Sequence, residues 1–187
     1  MKKIILVFSI LFASLSVFSH PHVFVDIRPV IYNKGSDIES IELIWYYDEL
    51  FSSAIIEDFD KNGDHKFQKD EVKELHDVIF TRMKEYSYYT YISIDGEALN
   101  TVPIFKPEIK GPSLVFSFRY NVGFQQKKDK KQKIEIACYD TEYYHAMQYT
   151  DHIDYKDKKH GIKAFFDKKI VKAAWTELEI KQLELEF

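Results

Sequence analysis

Hydrophobic positions change their spacing twice along this chain. The segments "HVFVDIRPVIYN" and "IESIELIWYY" carry β-branched and aromatic residues in partial alternation, with Lys34-Gly35-Ser36-Asp37 supplying turn chemistry between them. That combination predicts a β-hairpin. From Asp48 to Tyr86 the spacing becomes helical, with Leu50, Ala54 and Ile55 on one face before an acidic loop and Val72, Leu75, Ile79 and Met83 after it. Strand character returns in "YYTYISID", which ends on the turn signal Asp95-Gly96, then in "SLVFSFRYNV", "QKIEIACYD" and the closing stretch from Ile162 to Phe187. The expected fold is α+β but mainly β: an Ig-like β-sandwich carrying a helical, EF-hand-like insertion over residues 48–86.

Upstream of the first strand, Lys2 and Lys3 precede an almost unbroken apolar run from Ile4 to Phe18. This is the layout of a secretory signal peptide, and it is short for a membrane span of roughly 20 residues. Val17 and Ser19 supply small side chains before a cut after Ser19. Residues 1–19 therefore read as a signal peptide and 20–187 as one periplasmic domain that opens with His20. The mature length of about 168 residues suffices for a sizeable single core.

Losing Lys2 and Lys3 leaves 24 of the 26 basic residues against 30 acidic ones, a balance of −6 that argues against a nucleic-acid partner. The basic run "KKDKKQK", Lys127 to Lys133, reads as a solvated hairpin tip. Cys138 is the only cysteine, so no internal disulfide can form, and within "KIEIACYD" it reads as a small core residue.

A cut after Ser19 would create an unusual donor set. His20 would offer an α-amine and an imidazole, with His22 projecting to the same side of an extended strand. Amine and imidazole both lose protons at little cost near neutrality, and zinc, copper and nickel accept such nitrogens. Pro21 has no N–H, which blocks the square-planar mode that uses deprotonated backbone amides. In "CYDTEYYHAMQYTDHIDY", Asp140 and His145 are candidates to complete the site, ahead of Asp151 and His152. Asp48, just before the first helix, reads as its N-cap, and His76 and His160 as solvated.

The acidic loop "DFDKNGDHKFQKDE" admits two calcium-binding registers. Starting at Asp58 puts Gly63 at the sixth position but Lys69 at the twelfth, where a bidentate carboxylate should close the shell. Starting at Asp60 gives Asp60, Asn62 and Asp64, the Lys66 carbonyl, Gln68 and Glu71 as ligands, with His65 at the sixth position. A left-handed His costs about 1–2 kcal/mol, less than losing the anion, so the second register is preferred.

Taken in order, the leader, "HPHVFVD", "WYYDELFSSAIIEDFDKNGDHKFQKDE", "YYTYISIDG" and "YDTEYY" resemble a bacterial periplasmic domain-of-unknown-function family. Its members are described as the periplasmic component of an uncharacterised ABC-type transport system and include ZevA-like zinc-utilisation proteins. The resemblance implies a metal-handling protein beside an inner-membrane permease of the nickel/cobalt type, with zinc the favoured cargo. His20 and His22 match the family's histidine pair, and the acidic loop its EF-hand-like segment; His65 departs from the usual glycine and Thr141 from a frequent proline.

Three readings follow: a zinc-binding (or copper- or nickel-binding) accessory of that permease, which is preferred; a copper-dependent redox enzyme using a terminal His chelate; and a calcium-stabilised interaction module. No nucleophile elbow, phosphate-binding glycine loop, HExxH helix or dinucleotide fingerprint supports another enzyme class.

Overall fold

A computed structural model describes residues 22–127, 129–159, 161–174 and 176–187. The expected signal peptide, His20 and His160 lie outside the described residues. The chain forms two facing sheets. The first contains β1 (Val23–Lys34), β2 (Asp37–Tyr47), β5 (Ile104–Lys110), β6 (Ser113–Phe124) and β8 (His145–Tyr149) in the order β5-β6-β2-β1-β8, with the short β9 (Asp154–Tyr155) also on β1. The second contains β3 (Thr90–Ile94), β4 (Glu97–Ala98), β7 (Lys133–Cys138), β10 (Lys163–Ala173) and β11 (Thr176–Glu186) in the order β10-β11-β7-β3-β4. This is a β-sandwich.

Alternation drives the layering. In β1 the even step buries Val23, Val25, Ile27 and Ile31, and in β2 it buries Ile41, Leu43 and Trp45, while Phe24, Asp26 and Arg28 turn outward. Ile134, Ile136 and Cys138 from β7 and Leu183 and Leu185 from β11 face them from the other sheet. The expected hairpin turn at Gly35 and Ser36 forms, as does the Asp95-Gly96 turn, with both residues at positive φ.

Helices α1 (Glu49–Phe59) and α2 (Lys69–Leu75) stand between β2 and β3, followed by a π-helical turn (His76–Phe80), α3 (Thr81–Met83) and a 3₁₀ stretch (Lys84–Tyr89). Ser52 fixes α1 to the sandwich. Its hydroxyl donates to the Tyr47 carbonyl (3.2 Å) and accepts the Leu114 N–H (2.9 Å), which explains a fully buried serine. The wide π turn inserts an extra step, so Leu75, Phe80 and Met83 all reach the core, and Phe80 stacks on Phe105 and Tyr88.

Two expectations are corrected. Of the expected α1 face Ile55 packs on the core, but Leu50 is 80% exposed and Ala54 is exposed; Phe51 packs on the core instead, because the Asp48 cap and the Ser52 anchor set the rotation of α1. Residues 127–133 are not a hairpin tip, since β6 and β7 lie in different sheets and the run crosses between them. Two strands carried no clear signal: β5, an edge strand that tolerates Pro107, and β8, a short strand parallel to β1. Among the described residues, no helix is long and apolar enough to cross a membrane.

Candidate functional site

Asp140 and His145 meet where β7 leaves the second sheet and the chain returns to the first. The Asp140 side chain is 1% exposed and organises the turn that follows it. One carboxylate oxygen accepts the Glu142 N–H (2.9 Å), and the other accepts the N–H groups of Tyr144 (3.2 Å) and His145 (3.1 Å) and lies 2.7 Å from His145 Nδ1. Burial alone would raise this carboxyl, but the His145 bond and the backbone donors outweigh it and hold it below the ordinary range. Ionised Asp140 can only accept, so Nδ1 of His145 is the donor in this bond. A buried carboxylate that orients a histidine in this way is the usual outer partner of a metal-ligating imidazole.

The N-terminal segment enters the first sheet beside this pair. His22 N–H donates to the Tyr144 carbonyl (2.9 Å), and the parallel register sets Val23 opposite His145. Buried Val23 and His145 therefore turn toward the space between the sheets, where His145 meets the Tyr89 ring at 4.9 Å. His22 stands one residue off this register, with its ring 5.1 Å from that of Tyr144. The Tyr144 ring is also 5.2 Å from His145, so one tyrosine touches both imidazoles.

Among the described residues, no three His, Cys, Asp or Glu side chains stand together as a ready ligand set. Of the four donors expected to share an ion, Asp140 is committed to the turn and to His145, His22 lies against Tyr144, and His20 lies outside the described residues. His152 pairs with Asp154 (2.9 Å), which also binds Arg28 (2.6 Å), and Asp151 meets Lys181 (2.9 Å).

The tyrosines were missed by sequence reasoning, although "EYSYY" and "EYYH" concentrate them. Ser87, Tyr88 and Tyr89 all have positive φ (53°, 53° and 51°), as does Tyr143 (58°). Left-handed backbone costs each roughly 1–2 kcal/mol, and such strain persists only where packing enforces it. Here Tyr88 is buried on Phe80, and Tyr89 stacks on Tyr86 and meets the His145 ring at a tilt. Asp48 is a clasp for the same region. It caps α1 through the Phe51 N–H (2.9 Å) and accepts the Phe24 N–H (2.8 Å), so both carboxylate oxygens are engaged.

The acidic loop between α1 and α2 is closed by its own donors. Asp60 accepts the N–H groups of Asp64 (3.2 Å) and His65 (2.9 Å), and Glu71 accepts those of Lys61 and Gln68 (both 2.7 Å). Asp64 accepts the Lys66 N–H (2.9 Å) and the Gln68 side-chain amide (2.8 Å), while Asn62 accepts the Asp64 N–H (2.9 Å). His65, sixth in the Asp60 register, has φ 57°, and Gly63, sixth in the Asp58 register, has φ 67°.

The sandwich, its helical insertion and the Asp140–His145 turn define a protein whose family can be stated. A family model described as "Protein of unknown function (DUF1007)" matches residues 5–182, and the chain belongs to that family. It is similar to an uncharacterized protein of Haemophilus influenzae, 30% identical over 146 residues that cover 74% of this chain and 67% of that protein.

Proposed function

We propose that this chain is a periplasmic divalent-metal-binding protein, with zinc the favoured ion, that serves an inner-membrane permease of the nickel/cobalt type. The observation that supports this reading is the buried Asp140 carboxylate holding His145 through Nδ1. His145 would be the fixed ligand. The N-terminal histidines would supply the remaining nitrogens, since the Tyr144 ring touches both His22 and His145. A site built partly from a chain end can load and release an ion without rearranging the core, which suits a carrier. The resemblance to ZevA-like zinc-utilisation proteins agrees with this choice of metal.

The loop from Asp60 to Glu71 would take calcium in a structural role. Its left-handed His65 agrees with the register that ends on Glu71. With three carboxylates and its N–H groups already satisfied, the affinity would be modest, on the order of 10⁻⁴ to 10⁻³ M.

The test is calorimetric titration of the chain beginning at His20 with zinc, copper and nickel, beside a version bearing one extra residue ahead of His20. Weaker binding by the extended version supports the terminal chelate, and equal affinities overturn it.

A further inference from the structure

Loops from both sheets meet at the end of the sandwich opposite Asp140 and His145. The Gln126 N–H donates to Asp37 (2.9 Å), the Asn33 side-chain amide donates to the Lys158 carbonyl (3.1 Å), and Lys130 reaches Asp95 (2.8 Å). These bonds join the β1–β2 turn, the β6–β7 crossing, the β9–β10 connection and the β3–β4 turn into one surface. Residues 34–37, 127–133 and 156–163 place nine described lysines there against three aspartates, and the β3–β4 hairpin adds Asp95 and Glu97, in a chain with more acidic than basic residues.

Only some of this charge is neutralised. Lys130 pairs with Asp95, Lys133 with Glu135 and Glu184, and Lys163 with Glu186. Lys34, Lys127, Lys131, Lys156 and Lys159 are exposed and make no ion pair among the described residues. The other end is the reverse. The helical insertion leaves from the end of β2 and returns at the start of β3, and residues 49–89 hold ten carboxylates against six cations. The two ends are separated by the length of β1, about 40 Å at roughly 3.3 Å per residue.

We propose that the lysine end docks on an anionic lipid surface, with the acidic insertion and the His145 end directed away from it. An array of headgroup phosphates suits this surface better than a single anion. The charges are exposed point charges spread over three loops, and the local cavity of about 410 Å³ is lined by Asp95 and Glu186 as well as by Lys131, Lys133 and Lys163. Lysines near a negative bilayer add attraction individually, within a Debye length. The opposed charge of the two ends sets the orientation.

The test is co-sedimentation of the chain from His20 onward, which contains every described element, with vesicles of phosphatidylcholine alone or with about a third phosphatidylglycerol. Binding to the anionic vesicles only, lost at 0.5 M salt, is expected from the screening length of about 3–4 Å at that strength. The triple variant Lys127→Glu, Lys130→Glu, Lys131→Glu should lose at least fivefold in partition. The matched variant Lys168→Glu, Lys169→Glu, Lys172→Glu, with the same charge change on β10, should lose less than twofold. No preference for anionic vesicles, or equal loss by the two variants, overturns the proposal, and circular dichroism and melting of both variants establish that they are folded.

Discussion

His145 Nδ1 lies 2.7 Å from an oxygen of Asp140, a carboxylate that also accepts three backbone N–H groups of the turn leading to that histidine. One buried charge thus fixes both the turn and the orientation of the imidazole. Replacing Asp140 with Asn keeps the volume but cannot satisfy all four donors, and leaving buried donors unpaired costs about 1–3 kcal/mol. Denaturant unfolding should show that loss. Zinc affinity should fall about 10–100-fold, the usual effect of removing a ligand's outer partner.

The same pair predicts a pH dependence. Because the Asp140 carboxyl is held below the ordinary range, its contribution is complete above about pH 4 and is lost as pH falls through the lower folded value. The stability difference between wild type and Asp140→Asn, measured in chelator, should shrink as pH falls below about 4. A difference that stays constant or grows as pH falls below about 4 would contradict the assignment.

Calcium should raise the melting temperature in the millimolar range, and Glu71→Gln should abolish that rise. Glu71→Gln should also destabilise the calcium-free protein, since it weakens the bonds to Lys61 and Gln68. His65→Gly relieves left-handed strain at φ 57° while adding backbone freedom to the unfolded chain. Its net effect should be a stabilisation of up to about 1 kcal/mol in chelator, read from urea unfolding.

Asp48→Ala removes an N-cap and the acceptor for the Phe24 N–H together, so a loss of about 1–2 kcal/mol is expected. The helix faces give a paired comparison. Leu50→Ser should change stability by less than about 0.5 kcal/mol, whereas Leu75→Ala should cost about 2–5 kcal/mol. A loss of about 2 kcal/mol or more for Leu50→Ser would mean that α1 is rotated from the position described.

Much of the architecture could be read from alternation alone. Val23, Val25 and Ile27, Ile41 and Leu43, and Ile134 and Ile136 announce their faces by the two-residue period, and Asp95-Gly96 announces its turn. What periodicity could not supply was rotation and partnership. Leu50 fits a helical stripe as well as Phe51 does, and the choice is made by Ser52 bonding to Tyr47 and Leu114, residues 5 and 62 positions away. The lysine run lies between two segments that read as a hairpin, yet β6 and β7 belong to different sheets. At the candidate site, Asp140 and His145 were legible as chemistry. Their contact depends on a turn with Tyr143 at positive φ and on a parallel ladder to β1, neither of which has a local signature.

His145 is proposed as the fixed ligand of a divalent ion. Crystals of the chain from His20 grown with zinc, measured on both sides of the zinc absorption edge, test it directly. The account predicts an anomalous peak about 2.0–2.1 Å from His145 Nε2, with Asp140 still on Nδ1. A zinc peak at other residues only, with His145 Nε2 unliganded, would contradict it.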